Sequence, residues 1–214
     1  MPVKNNYPLR RNGYYYIDGH KYISVTTVLQ VLAKPALIRW SAKQAACIAL
    51  EDPSLSEDGV LAKVWAIKDT AANRGSLVHS FISSMETGKS LPANIQGYAN
   101  AYENFMKTTN ASIISSEQMV YSGKYKYAGT LDAIARIGNK IWILDFKTSK
   151  NVYNEYGLQL CAYKQAVEEQ GKKIDSMAIV HLKNTGKFSF LEFNDDFKVF
   201  LHALELWKWF NKGG

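Results

Sequence analysis

Cysteine is scarce in this chain of 214 residues, which contains only Cys47 and Cys161. Two cysteines in predicted helices can form neither a disulfide framework nor a four-cysteine metal site, which favours a reducing compartment. No apolar run reaches the roughly 18 residues that a membrane-spanning helix needs. The N-terminal segment also lacks the apolar stretch of a signal peptide, so we expect a cytoplasmic or otherwise intracellular protein. Repeats and low-complexity tracts are absent too, which predicts a single domain over residues 1–214.

The charge balance favours an anionic partner. The chain has 26 Lys and Arg against 19 Asp and Glu, which gives a net charge of +7 and a pI near 9.2. Nucleic acid is the commonest partner of such basic proteins. The 13 tyrosines and 5 tryptophans add rings on which unpaired bases can stack, although most of these rings are expected in the core.

Hydrophobic periodicity predicts a helix-rich first half and a strand-rich second half. The first half begins with a hairpin that turns at Asp18-Gly19, and a later helix has Asp69 or Thr70 as its N-cap and Gly88 just past its end. The order predicts an α/β (mixed α+β) fold in which helices flank a mixed central sheet. The predicted elements are a hairpin at 14–29, helices at 35–50, 59–68, 69–88, 93–107, 154–171 and 195–212, and strands at 116–122, 129–137, 140–148, 176–183 and 188–193.

Two acidic residues and a lysine stand where neighbouring strands meet. Asp132 lies in one predicted strand, and Asp145 and Lys147 end the next one after a tight turn at residues 137–140. Counting from that turn places Asp132 opposite Asp145, on strands less than about 5 Å apart. Two carboxylates this close repel unless a proton or cation lies between them, and a divalent ion with oxygen ligands is one solution. The alternative is a surface salt bridge between Lys147 and an acid.

Three further residues fit a site at this place. Gln159 and Tyr163 lie four apart and share one face of the helix that follows. Gly129, three residues before Asp132, lets a ligand or another chain segment approach the strand closely.

The motifs together resemble the PD-(D/E)XK nuclease superfamily in its RecB-like exonuclease branch, which includes mitochondrial genome maintenance exonucleases and phage exonucleases. The resemblance rests on G-T-L-D at 129–132, L-D-F-K-T-S-K at 144–150 and Q-L-C-A-Y at 159–163. It extends upstream to I-S-V-T-T-V-L at 23–29, Trp40, and R-G-S-L-V-H at 74–79. It implies a restriction-endonuclease-like core at 111–214, with residues 1–110 forming a side through which DNA threads.

The same resemblance implies roles for individual residues. Asp132, Asp145 and Lys147 would be catalytic, and the two aspartates would bind metal with the backbone carbonyl of Phe146 and with His79. A structural histidine remains the alternative at position 79. The remaining implied residues support the site or bind DNA, and they are Glu117, Thr148, Gln159, Tyr163, Arg74, Ser24 and Thr26.

Some of these supporting roles have simpler alternatives. Glu117 can be a surface acid at the start of a strand, and Arg74 a solvated charge. Ser24 and Thr26 can be ordinary strand formers whose hydroxyls alternate along the chain.

The implied reaction is hydrolysis of DNA phosphodiester bonds with one or two Mg²⁺ or Mn²⁺ ions, acting on single-stranded DNA from an end. Replication, repair or recombination would be its setting. A structure- or site-specific endonuclease and a non-catalytic nucleic-acid-binding module are the alternatives. The cysteines of the iron–sulfur relatives are missing, so no such cluster is expected. Helicase motifs are missing too, so any unwinding would come from elsewhere, and a helicase, polymerase or recombinase stays an open candidate for a partner. The small size indicates a phage or bacterial source.

Overall fold

The structure is a computed structural model that describes residues 9–84 and 92–212. Within these residues eight strands form one sheet. The strands are β1 (Leu9–Arg11), β2 (Tyr14–Ile17), β3 (His20–Ser24), β4 (Ser112–Ser122), β5 (Tyr127–Ile137), β6 (Lys140–Lys147), β7 (Ser176–Leu182) and β8 (Phe188–Glu192).

The sheet is mixed, as the sequence predicted. Its order is β1-β2-β3-β5-β6-β7-β8, and β4 also pairs with β5. The pairs β3–β5 and β6–β7 are parallel, and all the other pairs are antiparallel. The parallel pair β6–β7 requires a crossover, which a helix provides.

The long strand β5 divides one of its edges between two partners. Pairing with β4 runs from residue 127 to residue 136 of β5 and occupies the other edge. On the divided edge, β3 pairs with residues 127–128 and β6 pairs with residues 133–137. Residues 129–132 therefore lie between two ladders, in the middle of the sheet.

Six α-helices lie in the described residues, with a short 3-10 turn at Leu29–Val31. They are α1 (Val25–Val28), α2 (Pro35–Glu51), α3 (Glu57–Ser84), α4 (Ala93–Thr109), α5 (Glu155–Glu169) and α6 (Phe197–Phe210). None of them is long and apolar enough to cross a membrane.

One helix prediction is wrong, because the predicted helices 59–68 and 69–88 are the single helix α3. The residue read as a possible N-cap, Thr70, instead donates its hydroxyl to the carbonyl of Ala66 one turn earlier, at 2.8 Å. A threonine that bonds back in this way sits inside a helix without interrupting it. The predicted end at Gly88 lies outside the described residues.

The N-terminal hairpin is confirmed at its turn but not over its predicted length. Asp18 and Gly19 both have positive φ, 48° and 77°, which suits a two-residue hairpin turn. The second strand ends at Ser24, and Val25–Val28 form α1 because Val25 and Val28 are both fully buried at helical spacing. The strand β1 was not predicted. The other predicted elements occur within a few residues of their expected bounds.

Two apolar cores lie on opposite faces of the sheet. On one face, Ile143 of β6 packs with Leu160 of α5 and Phe200 of α6. On the other face, Leu144 of β6 packs with residues of α3 and α4 such as Phe105. Since side chains alternate along a strand, Asp145 shares the face of Ile143 and points toward α5.

Candidate active site

Strands β5 and β6 separate at the place where Asp132 lies. Their ladder runs from Ile137–Lys140 to Ala133–Leu144, which is the register predicted from the turn. Beyond it, the amide of Phe146 donates a 2.7 Å hydrogen bond to carboxylate Oδ2 of Asp132. The carboxylate of Asp132 thus replaces a backbone carbonyl as the partner of this amide, next to Asp145.

Asp145 is buried and has the ammonium of Lys147 as its closest charged neighbour. Its Oδ1 accepts a 3.2 Å hydrogen bond from the amide nitrogen of Gln159. Its Oδ2 is in ion-pair contact with the Lys147 ammonium. A buried carboxylate oxygen in this state retains lone pairs that can bind a cation.

Burial and neighbouring charges shift the pKa values of this pair. The pKa of Asp145 is raised to about 6. Burial is the main cause; the charge of Lys147 lowers the pKa and the charge of Asp132 raises it further. Burial lowers the pKa of Lys147, but the charges of Asp145 and Asp132 outweigh this and the net pKa is raised. Lys147 therefore stays charged at neutral pH, beside two acids.

His79 reaches the acids from α3, which is anchored by its buried neighbours Val78 and Ile82. Its Nδ1 lies 3.4 Å from Oδ1 of Asp132. Burial lowers the pKa of His79, but the hydrogen bond and charge of Asp132 outweigh it, and the net pKa is raised. The helical half of the chain thus contributes directly to the acidic cluster.

Glu117 completes this group from β4. Its neighbours Ser116 and Gln118 pair with Ala133 and Leu131, so Glu117 stands opposite Asp132. Its φ of 48° lies in the left-handed region, where a residue other than glycine costs about 1–3 kcal/mol. Burial and the charge of Asp132 raise the pKa of the Glu117 carboxyl, while His79 lowers it.

These side chains fit a divalent cation. Ligand atoms of His79, Glu117 and Asp132 all lie within 4.8 Å of one another. The buried carboxylate of Asp145 interacts electrostatically with Asp132 and His79, which places it beside this group. Carboxylate oxygens suit Mg²⁺ and Mn²⁺, and a histidine nitrogen is a common additional ligand. The backbone amide of Phe146 contacts Asp132. The role of the Phe146 carbonyl as a metal ligand stays a prediction.

Helix α5 supports the site through the residues that the sequence singled out. The amide nitrogen of Gln159 donates both to Asp145 and, at 3.0 Å, to the hydroxyl of Tyr163. A Cβ on Gly129 would lie only 2.4 Å from Cε1 of Tyr163. Glycine at position 129 therefore makes room for the buried Tyr163 ring.

Thr148 and Arg74 lie beside the site, at the end of β6 and on α3. A Cβ on Gly75 would lie 3.6 Å from the Thr148 hydroxyl, so α3 passes close to the chain just after Lys147. The guanidinium carbon of Arg74 lies 5.8 Å from the centre of the Tyr98 ring.

The expectation that the hydroxyls of Ser24 and Thr26 alternate along a strand is wrong, because Ser24 ends β3 and Thr26 is in α1. Ser24 is buried, and its hydroxyl lies 2.9 Å from that of Thr26. The exposed Thr26 hydroxyl also accepts a 3.3 Å hydrogen bond from Arg10.

Tyr156 is a site residue that the sequence reading missed. Its ring centre lies 4.9 Å from the Lys147 ammonium. The ammonium therefore lies between the Tyr156 ring and the carboxylate of Asp145. Tyr156 precedes Gln159 by three residues and Tyr163 by seven, so all three share one helical face. That spacing was the signal that could have found it.

A comparison with protein-family models matches residues 89–205 to the PD-(D/E)XK nuclease superfamily, which is more than half of the chain. No curated protein sequence matches the chain. Members of this superfamily use divalent metal ions, in agreement with the acidic cluster.

Similar solved structures include a protein called SSO0001, which is 17% identical, with a TM-score of 0.44 and coverage of 96% of this chain and 80% of that one. An alkaline exonuclease from Laribacter hongkongensis is 9% identical, with a TM-score of 0.47 and coverage of 87% and 85%. The same exonuclease in complex with dAMP is 10% identical, with a TM-score of 0.44 and coverage of 87% and 83%. At these low values the assignment rests on the sequence match, and by that match the chain belongs to the PD-(D/E)XK nuclease superfamily.

Proposed function

We propose that the protein is a metal-dependent deoxyribonuclease of the RecB-like type that degrades single-stranded DNA from an end. The observation that carries the proposal is the convergence of Asp132, Asp145 and Lys147 where β5 and β6 separate. Two acids and a buried lysine where two strands separate add little to the stability of the fold, because desolvating each buried charge is unfavourable. They suit the hydrolysis of a phosphodiester.

The ligands of the metal would be Asp132, Asp145, His79 and Glu117, with the Phe146 carbonyl as a further candidate. When bound, Mg²⁺ or Mn²⁺ supplies a water of lowered pKa and positive charge beside the scissile phosphate. Asp132 is oriented by the Phe146 amide, and Asp145 by Gln159, so both carboxylates are held in place before substrate arrives. Such preorganisation lowers the cost of assembling the site during the reaction.

Lys147 would orient the attacking water and offset the charge that builds on the phosphate. Its raised pKa keeps the ammonium charged, and its contacts with Asp145 and Tyr156 restrict its position. A fixed positive charge in a largely buried site stabilises an anionic transition state more strongly than a solvated one.

The helical half supports the preference for a single strand. Helix α3 carries His79 and also Trp65, which is 56% exposed and has the Lys68 ammonium 4.7 Å from its ring. An exposed ring beside a cation is a typical platform for unpaired bases. Trp65 and His79 are 14 residues apart on one helix, which spans about 21 Å. A single strand of DNA lying along α3 would thus reach the site.

The test is cleavage of end-labelled linear single-stranded DNA with Mg²⁺, with Mn²⁺ and with EDTA, beside the same sequence as a circle. We expect linear DNA to be lost only with metal and circles to survive. Lys147→Ala should be inactive, whereas Lys172→Ala, an exposed lysine in the turn before β7, should match the wild type. Circular dichroism would verify that both variants fold.

Each other outcome has a definite meaning. Cleaved circles would replace the exonuclease with the endonuclease alternative. Binding without cleavage under any metal would make the protein a nucleic-acid-binding module. Activity in Lys147→Ala equal to that of the wild type would remove Lys147 from the site.

A further inference from the structure

A basic cavity of about 320 Å³ adjoins the candidate active site. Four parts of the chain line it: α3, α4, the segment directly after β6, and the end of β7 with the turn that follows. Its lining residues are Arg74, Tyr98, Thr148, Ser149, Lys150, His181, Leu182, Lys183 and Asn184. Thr148 directly follows Lys147, so the cavity begins one residue beyond the lysine of the proposed reaction.

The charge in this cavity is uncompensated. Arg74, Lys150 and Lys183 bring three cations, and none of the lining residues is acidic. Among residues 9–84 and 92–212, none of the three forms an ion pair. The cavity therefore suits an anion.

Arg74 also carries a buried donor without a partner. Its Nε is buried and makes no hydrogen bond within the described residues. Leaving a buried donor unpaired is unfavourable, so an anion bound at this guanidinium would stabilise it. The guanidinium lies beside the buried ring of Tyr98, so its place at the cavity wall is fixed by packing.

The walls of the cavity are built by close contacts. A Cβ on Gly97 of α4 would lie 1.7 Å from the carbonyl oxygen of Asn184, so only glycine lets α4 approach this turn. The Nε2 of His181 lies 2.6 Å from the carbonyl oxygen of Ser149 and must be the donor, because a carbonyl can only accept. His181 thus holds the Ser149 backbone beside the cavity.

We propose that this cavity holds a second phosphate of the substrate strand, next to the phosphate that is cleaved. The inference rests on the proposed nuclease function and extends it, because it makes a second phosphate a requirement for efficient cleavage. Neighbouring phosphates of one strand would lie at Lys147 and at the cavity. The hydroxyl group of Thr148 and the three cations are typical partners of a phosphate.

The first experiment measures binding alone. A short fluorescein-labelled oligothymidylate is titrated in EDTA at several salt concentrations, and fluorescence anisotropy gives Kd. The variants are Lys150→Ala and Lys183→Ala, since both side chains are exposed and their loss should leave the fold intact. Lys172→Ala is the control, because Lys172 precedes β7 whereas the cavity lies at its other end.

We expect each cavity variant to reduce the slope of log K against log salt by about 0.7, the value for one lost phosphate contact on a single strand. The control should keep the wild-type slope. Slopes of both cavity variants equal to that of the control would overturn the proposal. This result does not depend on cleavage, so it decides on the cavity even if the protein proves not to be a nuclease.

The second experiment compares a trinucleoside diphosphate with a dinucleoside monophosphate, which has no second phosphate. Wild-type kcat/KM should favour the longer substrate by about tenfold, as expected for a charged hydrogen-bonded contact. In a variant carrying both Lys150→Ala and Lys183→Ala, we expect most of this preference to disappear. A double variant that retained the full preference would contradict the assignment.

Discussion

The substitution Gly129→Ala tests the support of the site with a single methyl group. A Cβ at position 129 would lie 2.4 Å from Cε1 of Tyr163 and 3.1 Å from its hydroxyl. Tyr163 is only 2% exposed, so its ring cannot move aside into solvent. Because the Tyr163 hydroxyl accepts a hydrogen bond from Gln159, and Gln159 also donates to Asp145, a displaced ring would disturb a proposed metal ligand.

The size of the effect follows from two opposing contributions. Overpacking a buried contact costs about 1–3 kcal/mol. Replacing glycine by alanine within a strand returns about 0.5–1 kcal/mol through the unfolded state. We expect a net loss of about 1–2 kcal/mol in the free energy of unfolding, which for a chain of this size lowers Tm by about 2–8 °C.

Thermal unfolding followed by circular dichroism measures this loss, with Gly123→Ala as the matched control. A Cβ at Gly123, in the turn before β5, would meet nothing within 4 Å. Its Tm should therefore stay near the wild-type value. In a Tyr163→Leu background, Gly129→Ala should lower Tm by less than in the wild type, because the ring that the new methyl group meets is absent. A Tm for Gly129→Ala equal to that of Gly123→Ala would refute the close contact.

Three further predictions concern single residues. Glu117→Gly should keep or raise the free energy of unfolding, because glycine adopts the φ of 48° freely, and urea unfolding measures this. The same variant should lose metal-dependent cleavage, and full activity would contradict the role of Glu117. In the native protein the half-buried Cys47 should react with Ellman's reagent before Cys161, because burial raises the pKa of the Cys161 thiol to about 11; equal rates would contradict this. Burial raises the pKa of Tyr127 above that of an unfolded tyrosine, so its contribution to stability is present below a pH of about 10 and lost as the pH rises further. Urea unfolding at several alkaline pH values should show a shallower loss for Tyr127→Phe, and an equally steep loss would contradict the reasoning.

The sequence predicted best where local chemistry sets geometry. The turn at 137–140 determined the register of β5 and β6, and that register placed Asp132 opposite Asp145. The helical spacing of Gln159 and Tyr163 placed both on the face of α5 that contacts the site.

The predictions failed where tertiary packing overrides local preference. Val25–Val28 has the β-branched composition of a strand, yet two buried valines at helical spacing make it a helix. Thr70 looked like an N-cap, and only its bond to Ala66 shows that α3 continues through it. The left-handed backbone of Glu117 could not be foreseen, since the residue is not a glycine or an asparagine and its conformation depends on the neighbouring strand.

The divided edge of β5 has a consequence for hydrogen exchange. The middle of a sheet normally contains the amides that exchange most slowly, because opening them requires unfolding of the whole domain. Here residues 129–132 lie between the ladder to β3 and the ladder to β6. The amides of residues 129–132 that face the divided edge should therefore exchange faster than those of residues 133–136, although β4 still pairs with the opposite edge. Local opening on that edge would expose Asp132 while the ladders from β5 to β4 and to β6 stay intact.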